Sequence, residues 1–174
     1  MATFDMTAKS TVGVDSDSLA ILPDVRNQSY LVEAILDITK LVAAGTFSAV
    51  TDGDIFQVLE IPAGTVVIAA GAEVLTAMSG TSVTVDIDFA AGDDIVDGGD
   101  TSSAGYLASG TNGGANEPSA TTYTHFVSTT DTIDVKFIAS SNDVTSGVLR
   151  VYAVCCDLNG VADTATEVDR DQLA

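Results

Sequence analysis

Four aspartates, Asp93, Asp94, Asp97 and Asp100, fall within eight residues, with Gly98 and Gly99 between them. Hard cations such as Ca²⁺ take about six to eight oxygens from carboxylate-rich loops. Asp86 and Asp88 stand just upstream, on the polar side of an alternating segment. The spacing is not that of an EF-hand, and no glutamate closes the set. A solvated acidic loop is therefore the expected reading, and a Ca²⁺ site is the alternative. His125 is the single histidine, which removes most histidine-dependent catalysis and nearly all zinc sites. Cys155 and Cys156 are adjacent and cannot build a disulfide framework. In a strand, neighbours point to opposite faces, so one faces the core and the other a neighbour or solvent. Two small hydrophobes are expected here rather than a vicinal disulfide or a metal-ligand pair. There is no phosphate loop ending in Lys-Ser or Lys-Thr and no dinucleotide fingerprint after a strand. The glycines at 110–114 read as a flexible loop. Paired carboxylates also serve glycosidases, but the chain has no Trp and only 6% aromatic residues to stack on a sugar. No enzyme and no cofactor are expected.

The chain that must position these groups has 174 residues, the size of one domain. Lys plus Arg number 6 against 25 Asp plus Glu, a formal net charge of −19. Such a surface repels nucleic-acid phosphates and anionic membranes, so neither is an expected partner. Yet 46% of the residues are hydrophobic and the mean hydropathy is +0.33, enough for a core. Met1–Ser10 has no apolar signal-peptide region, and no window reaches the length of a spanning helix. Synthesis in a reducing cytoplasm is expected.

Residues 1–28 read as an extended arm: polar, rich in Thr, Ser, Gly and Asp, with Pro23 stopping any helix across it. It carries apolar anchors at Phe4, Met6, Val12, Val14, Leu19, Ile21 and Leu22, the pattern of a segment that orders on a partner. The domain proper is expected over 29–158, followed by an acidic tail at 159–174. Tyr30, Val32, Ala34, Leu36 and Ile38 alternate with Glu33 and Asp37, which favours a strand over a helix. Residues 39–54 read as a linker. Ile55–Ile61 reads as a strand, broken by the turn at Pro62-Ala63-Gly64. Thr65–Ala70 and Glu73–Met78 read as one strand with a bulge or bend at Gly71. Val83, Val85, Ile87 and Phe89 alternate with polar residues over 82–89, which predicts a strand with one wet face. Residues 90–120 read as a long irregular excursion pinned by Ile95, Val96, Tyr106 and Leu107. Strands follow over 121–128, 131–139 and 147–158. The last is apolar on both faces and is expected to be central. Seven or eight short strands with no long helix predict an all-β sandwich, jelly-roll-like or Greek-key.

The run from Gly53 to Val74, in which a strand enters Pro62-Ala63-Gly64-Thr65 and a second leads to Gly71 and Val74, resembles a pattern in virion structural proteins of marine tailed bacteriophages. Val96-Asp97-Gly98 and the closing strand Val148–Leu158 resemble them too, so the likeness spans 53–158. The family includes capsid decoration (cement) proteins and other small virion components. The resemblance implies a β-sandwich, no catalysis and many copies per particle. The expected role is therefore a decoration protein on the outer capsid surface, stabilising contacts between capsomers. Its expected partners are the major capsid protein and its own copies, as a homotrimer. A tail, fibre or head-appendage component, or a module binding a host glycan or receptor, is the alternative. A major capsid protein itself would need a longer chain and a long helix.

Overall fold

The computed structural model describes residues 3–5, 14–16, 29–89, 95–108, 124–139 and 143–158. In chain order the elements are β1 (Thr3–Asp5), β2 (Val14–Ser16), β3 (Ser29–Asp37), α1 (Ile38–Ala43), β4 (Ile55–Ile61), β5 (Thr65–Thr76), β6 (Thr84–Phe89), β7 (Val96–Asp100), β8 (Gly105–Ala108), β9 (His125–Val127), β10 (Asp131–Ile138) and β11 (Val148–Asp157). Two sheets enclose one core. Sheet A runs β1-β4-β10-β6-β7; sheet B runs β2-β3-β11-β5-β8, with β9 also paired to β5. Every pairing is antiparallel except β1 on β4. The protein is an all-β sandwich.

The strongest alternations in the sequence become the central strands. Val85, Ile87 and Phe89 of β6 face inward beside Ile133, Val135 and Phe137 of β10. Leu149, Val151, Ala153 and Cys155 of β11 are buried opposite them. β11 lies between β3 and β5, the central place expected of it. Residues 29–37 form the expected strand, with Ala34 and Leu36 buried.

Four expectations need correction. The linker at 39–54 contains a helix. The Asp37 carboxylate accepts from the Lys40 amide at 2.9 Å and caps α1, whose Ile38 and Leu41 are buried as the chain passes from sheet B to sheet A. The polar face of β6 is not wet. Asp86 and Asp88 are only 6% and 7% exposed, because β6 is flanked on both sides by β10 and β7. Gly71 is not a bulge. The two β5–β11 irregularities leave Ile68 and Leu75 unpaired, and Gly71 sits in regular pairing between them. A side chain at 71 would come within 2.8 Å of both the Tyr152 hydroxyl and the Leu107 carbonyl, so the glycine makes room for Tyr152. Finally, the described residues hold eleven strands rather than seven or eight. β7 and β8 lie inside the supposed irregular excursion, which Ile95, Val96 and Leu107 do anchor by burial, whereas Tyr106 is exposed.

β1 and β2 fall within the arm. β1 pairs with β4 at the edge of sheet A, and β2 with β3 at the edge of sheet B. Asp93 and Asp94, and Met6, Val12, Leu19, Ile21 and Leu22, lie outside the described residues, as does the 110–114 loop. Phe4 and Val14 are placed on β1 and β2.

Candidate interaction surface

The groups with catalytic potential are dispersed. His125, on β9, stacks on Phe89 with ring centroids 4.5 Å apart and planes at 18°. Cys155 points into the core and Cys156 away from it, as the strand alternation requires. Burial, reinforced by Cys156, pushes the Cys155 thiol up to about 12, so it stays protonated and unreactive. Asp97 and Asp100 lie on β7. The Asp100 carboxylate accepts from the amide and hydroxyl of Ser102, at 2.8 and 3.0 Å. Asp86 accepts from the Gly98 amide at 3.0 Å. Among the described residues, no group of three or more His, Cys, Asp or Glu is arranged to hold a metal ion.

The two outer faces of the sandwich differ sharply. Residues directly opposite on paired strands share a face. On sheet A, Asp88 lies opposite Asp134, which lies opposite Gln57. In the next row Lys136 lies opposite Asp86 and binds it at 3.1 Å. This face is acidic. Burial is the main cause lifting the Asp134 carboxyl above the usual carboxylate value. The Thr132 hydroxyl, donating at 2.6 Å, pulls it back, and the charges of Asp131 and Asp88 add to the lift. Because folding raises this pKa, the ionised carboxylate disfavours the folded state at neutral pH. That penalty disappears as pH falls through the folded-state value toward the unfolded one. Asp134→Asn is therefore expected to melt higher than the parent at pH 7, with the two curves converging near the usual aspartate value of about 3.9. Melts at a series of pH values check this; a gap of constant size would show that charge is not its cause.

Sheet B presents the opposite chemistry. The outward residues of β11 are Val148, Arg150, Tyr152, Val154 and Cys156. Leu31 of β3 lies opposite Val154, and Ile35 opposite Arg150. On the other side, Ala69 lies opposite Val154 and Val66 opposite Cys156; Phe126 of β9 continues the Val66 row. Tyr106 of β8 lies opposite Glu73. Phe126 and Tyr106 are each 56% exposed and Leu31 46%. All the large hydrophobic side chains left exposed among the described residues belong to sheet B strands or directly follow one. Ile68 and Leu75, the two bulge residues, and Leu158, just past β11, complete the set.

One charged clamp interrupts this face. Arg150 holds Glu73 through Nη2 and Glu33 through Nη1, the latter at 3.5 Å. Its Nε is enclosed and makes no hydrogen bond. Burial is the main reason the Tyr152 hydroxyl is pushed up and remains neutral. This surface is not legible in the sequence. Apolar outward positions on a central strand look the same whether or not a partner covers them. The available signal was aromatic residues, Tyr106 and Phe126, at positions that alternation turns outward.

Comparison with known proteins locates the fold. No family model matches the chain, and no curated protein matches it. Among solved structures, the chain is similar to one in the capsid of Ralstonia phage GP4, with a TM-score of 0.51 and 14% identity over 78% of this chain and 88% of that one. A second similarity is to a chain in the acid-stable capsid of Helicobacter pylori bacteriophage KHP30, with a TM-score of 0.41 and 17% identity over 72% and 86% of the two chains. At such identity the first match is a likeness of fold.

Proposed function

We propose that this protein is a non-enzymatic structural component of a phage virion, of the capsid decoration (cement) type, bound to the outer capsid surface through the major capsid protein and its own copies. The observation that carries the reading is a sandwich shared over most of its length with a chain from a phage capsid, joined to one uncovered apolar sheet face. The sequence resemblance over 53–158 supports it independently. A cement protein works by burying surface across subunit boundaries, and an apolar face supplies the driving force for that.

The arm is the second contact in this proposal. Its three-residue strands β1 and β2 make only short pairings on the body. Purified protein is expected to co-sediment with expanded empty capsids and not with purified tails. Binding to tails alone would overturn the decoration role in favour of a tail component. Deleting residues 2–22 removes β1 and β2 and is expected to leave the sandwich folded by circular dichroism while weakening capsid attachment. Unchanged occupancy and salt resistance of the truncated protein would make the arm a spectator.

A further inference from the structure

We infer that the outer face of sheet B is where a second copy of this chain docks. The inference deepens the capsid reading and rests on it for the close packing of many copies. Three features select a second copy as the occupant.

The first is charge. The whole chain carries −19. At the centre of this face Glu33 and Glu73 are both held by Arg150. Copies meeting through the acidic face of sheet A bring Asp86, Asp88 and Asp134 toward their own kind, with Lys136 already bound to Asp86. Sheet B is the face on which strong self-repulsion is relieved.

The second is chemistry. Phe126, Tyr106 and Leu31 project from different strands across one surface. Aromatic anchors around a sparse polar centre are the composition of an interface core. A symmetric contact places the same patch on both sides, and an apolar patch is complementary to itself.

The third is size. The ten residues of β11 span about 33 Å at ~3.3 Å each, and four strands spaced ~4.8 Å apart add about 19 Å of width. The flat footprint is then roughly 600 Å². Its side chains raise the accessible area toward the ~800 Å² per partner that a stable interface buries.

The test is the solution mass of the full chain by light scattering and sedimentation equilibrium, over a range of protein and salt concentrations. The parent protein is expected at a multiple of 17.7 kDa. Association should tighten as salt rises, because screening removes repulsion while the apolar contact persists. The double variant Leu31→Asp/Phe126→Asp is expected to weaken association more than tenfold. Thr129→Asp, which adds a charge at an exposed turn between β9 and β10 and outside the strands of this face, should leave it unchanged. Phe126→Ser, a milder change, provides the same reading if the double variant fails to fold. A parent protein that stays monomeric, a folded face variant of unchanged mass, or an equal effect from Thr129→Asp overturns the inference. Capsid co-sedimentation separates the two readings. An oligomer that does not attach overturns the capsid role alone; a monomer that attaches overturns self-docking alone.

Discussion

Phe137→Ala is expected to destabilise the domain by about 3–5 kcal/mol, the usual cost of truncating a fully buried aromatic ring. Phe137 has no exposed surface and sits in the middle of sheet A between β4 and β6. Its ring meets Phe56 edge-on, with centroids 5.5 Å apart and planes at 74°. Phe56 in turn meets Phe47 at 5.7 Å and 63°. Removing Phe137 therefore deletes apolar burial and a partner in an aromatic chain, and rigid sheets on both sides limit collapse into the cavity. Domains are commonly stable by only about 5–15 kcal/mol, so this is a large fraction of the total. Urea denaturation of parent and variant measures the loss. A change under ~1 kcal/mol would mean that β10 does not present this face to the core.

Gly147→Ala is the second large effect expected, about 2–6 kcal/mol. Gly147 has φ +130°, a conformation that side chains rarely adopt. A Cβ there would fall 2.2 Å from the Met78 sulfur and 2.8 Å from the Met78 Cα. Backbone strain of ~1–3 kcal/mol adds to overpacking of ~1–3 kcal/mol. The residue also joins two elements: its carbonyl accepts from the Ile38 amide, and its amide donates to the Thr39 hydroxyl at 3.1 Å. Gly45 is the control. It too has positive φ, but nothing lies within 4 Å of its missing Cβ. Gly45→Ala should cost only about 1 kcal/mol. Equal urea midpoints for the two variants would refute the packing argument.

The part of the fold legible in the sequence is the part built by strict alternation. β6, β10 and the inner face of β11 repeat an apolar residue every second position over six or more residues, and periodicity finds them. It fails where the chain breaks step. In β4, Phe56 and Leu59 lie opposite Val135 and Ile133 because a bulge intervenes, so the apolar residues look continuous. β1, β2 and β9 are three residues long, too short to show a period. Tertiary pairing specifies them. α1 had a local signal, Asp37 followed by Ile38 and Leu41, but six residues scarcely distinguish a helix from a turn. The burial of Asp86 depends on Lys136, fifty positions away, and cannot be read locally. For the interaction surface, alternation assigns Arg150 and Tyr152 to one side of β11 without revealing whether anything covers that side.

The placement of β11 has a consequence for synthesis. β3 and β5 are not neighbours in sheet B; each pairs with β11 along nearly its whole length. On the ribosome, residues 29–76 emerge long before 148–157, so two half-prepared strands must wait for the strand that will lie between them. Sheet B then forms only after residues 148–157 have left the exit tunnel, which makes folding a late, long-range event and correspondingly slow. A chain that terminates before residue 148 has no centre for this sheet and no surface to present. Under the proposed capsid role, that order of events keeps prematurely ended chains from joining the particle.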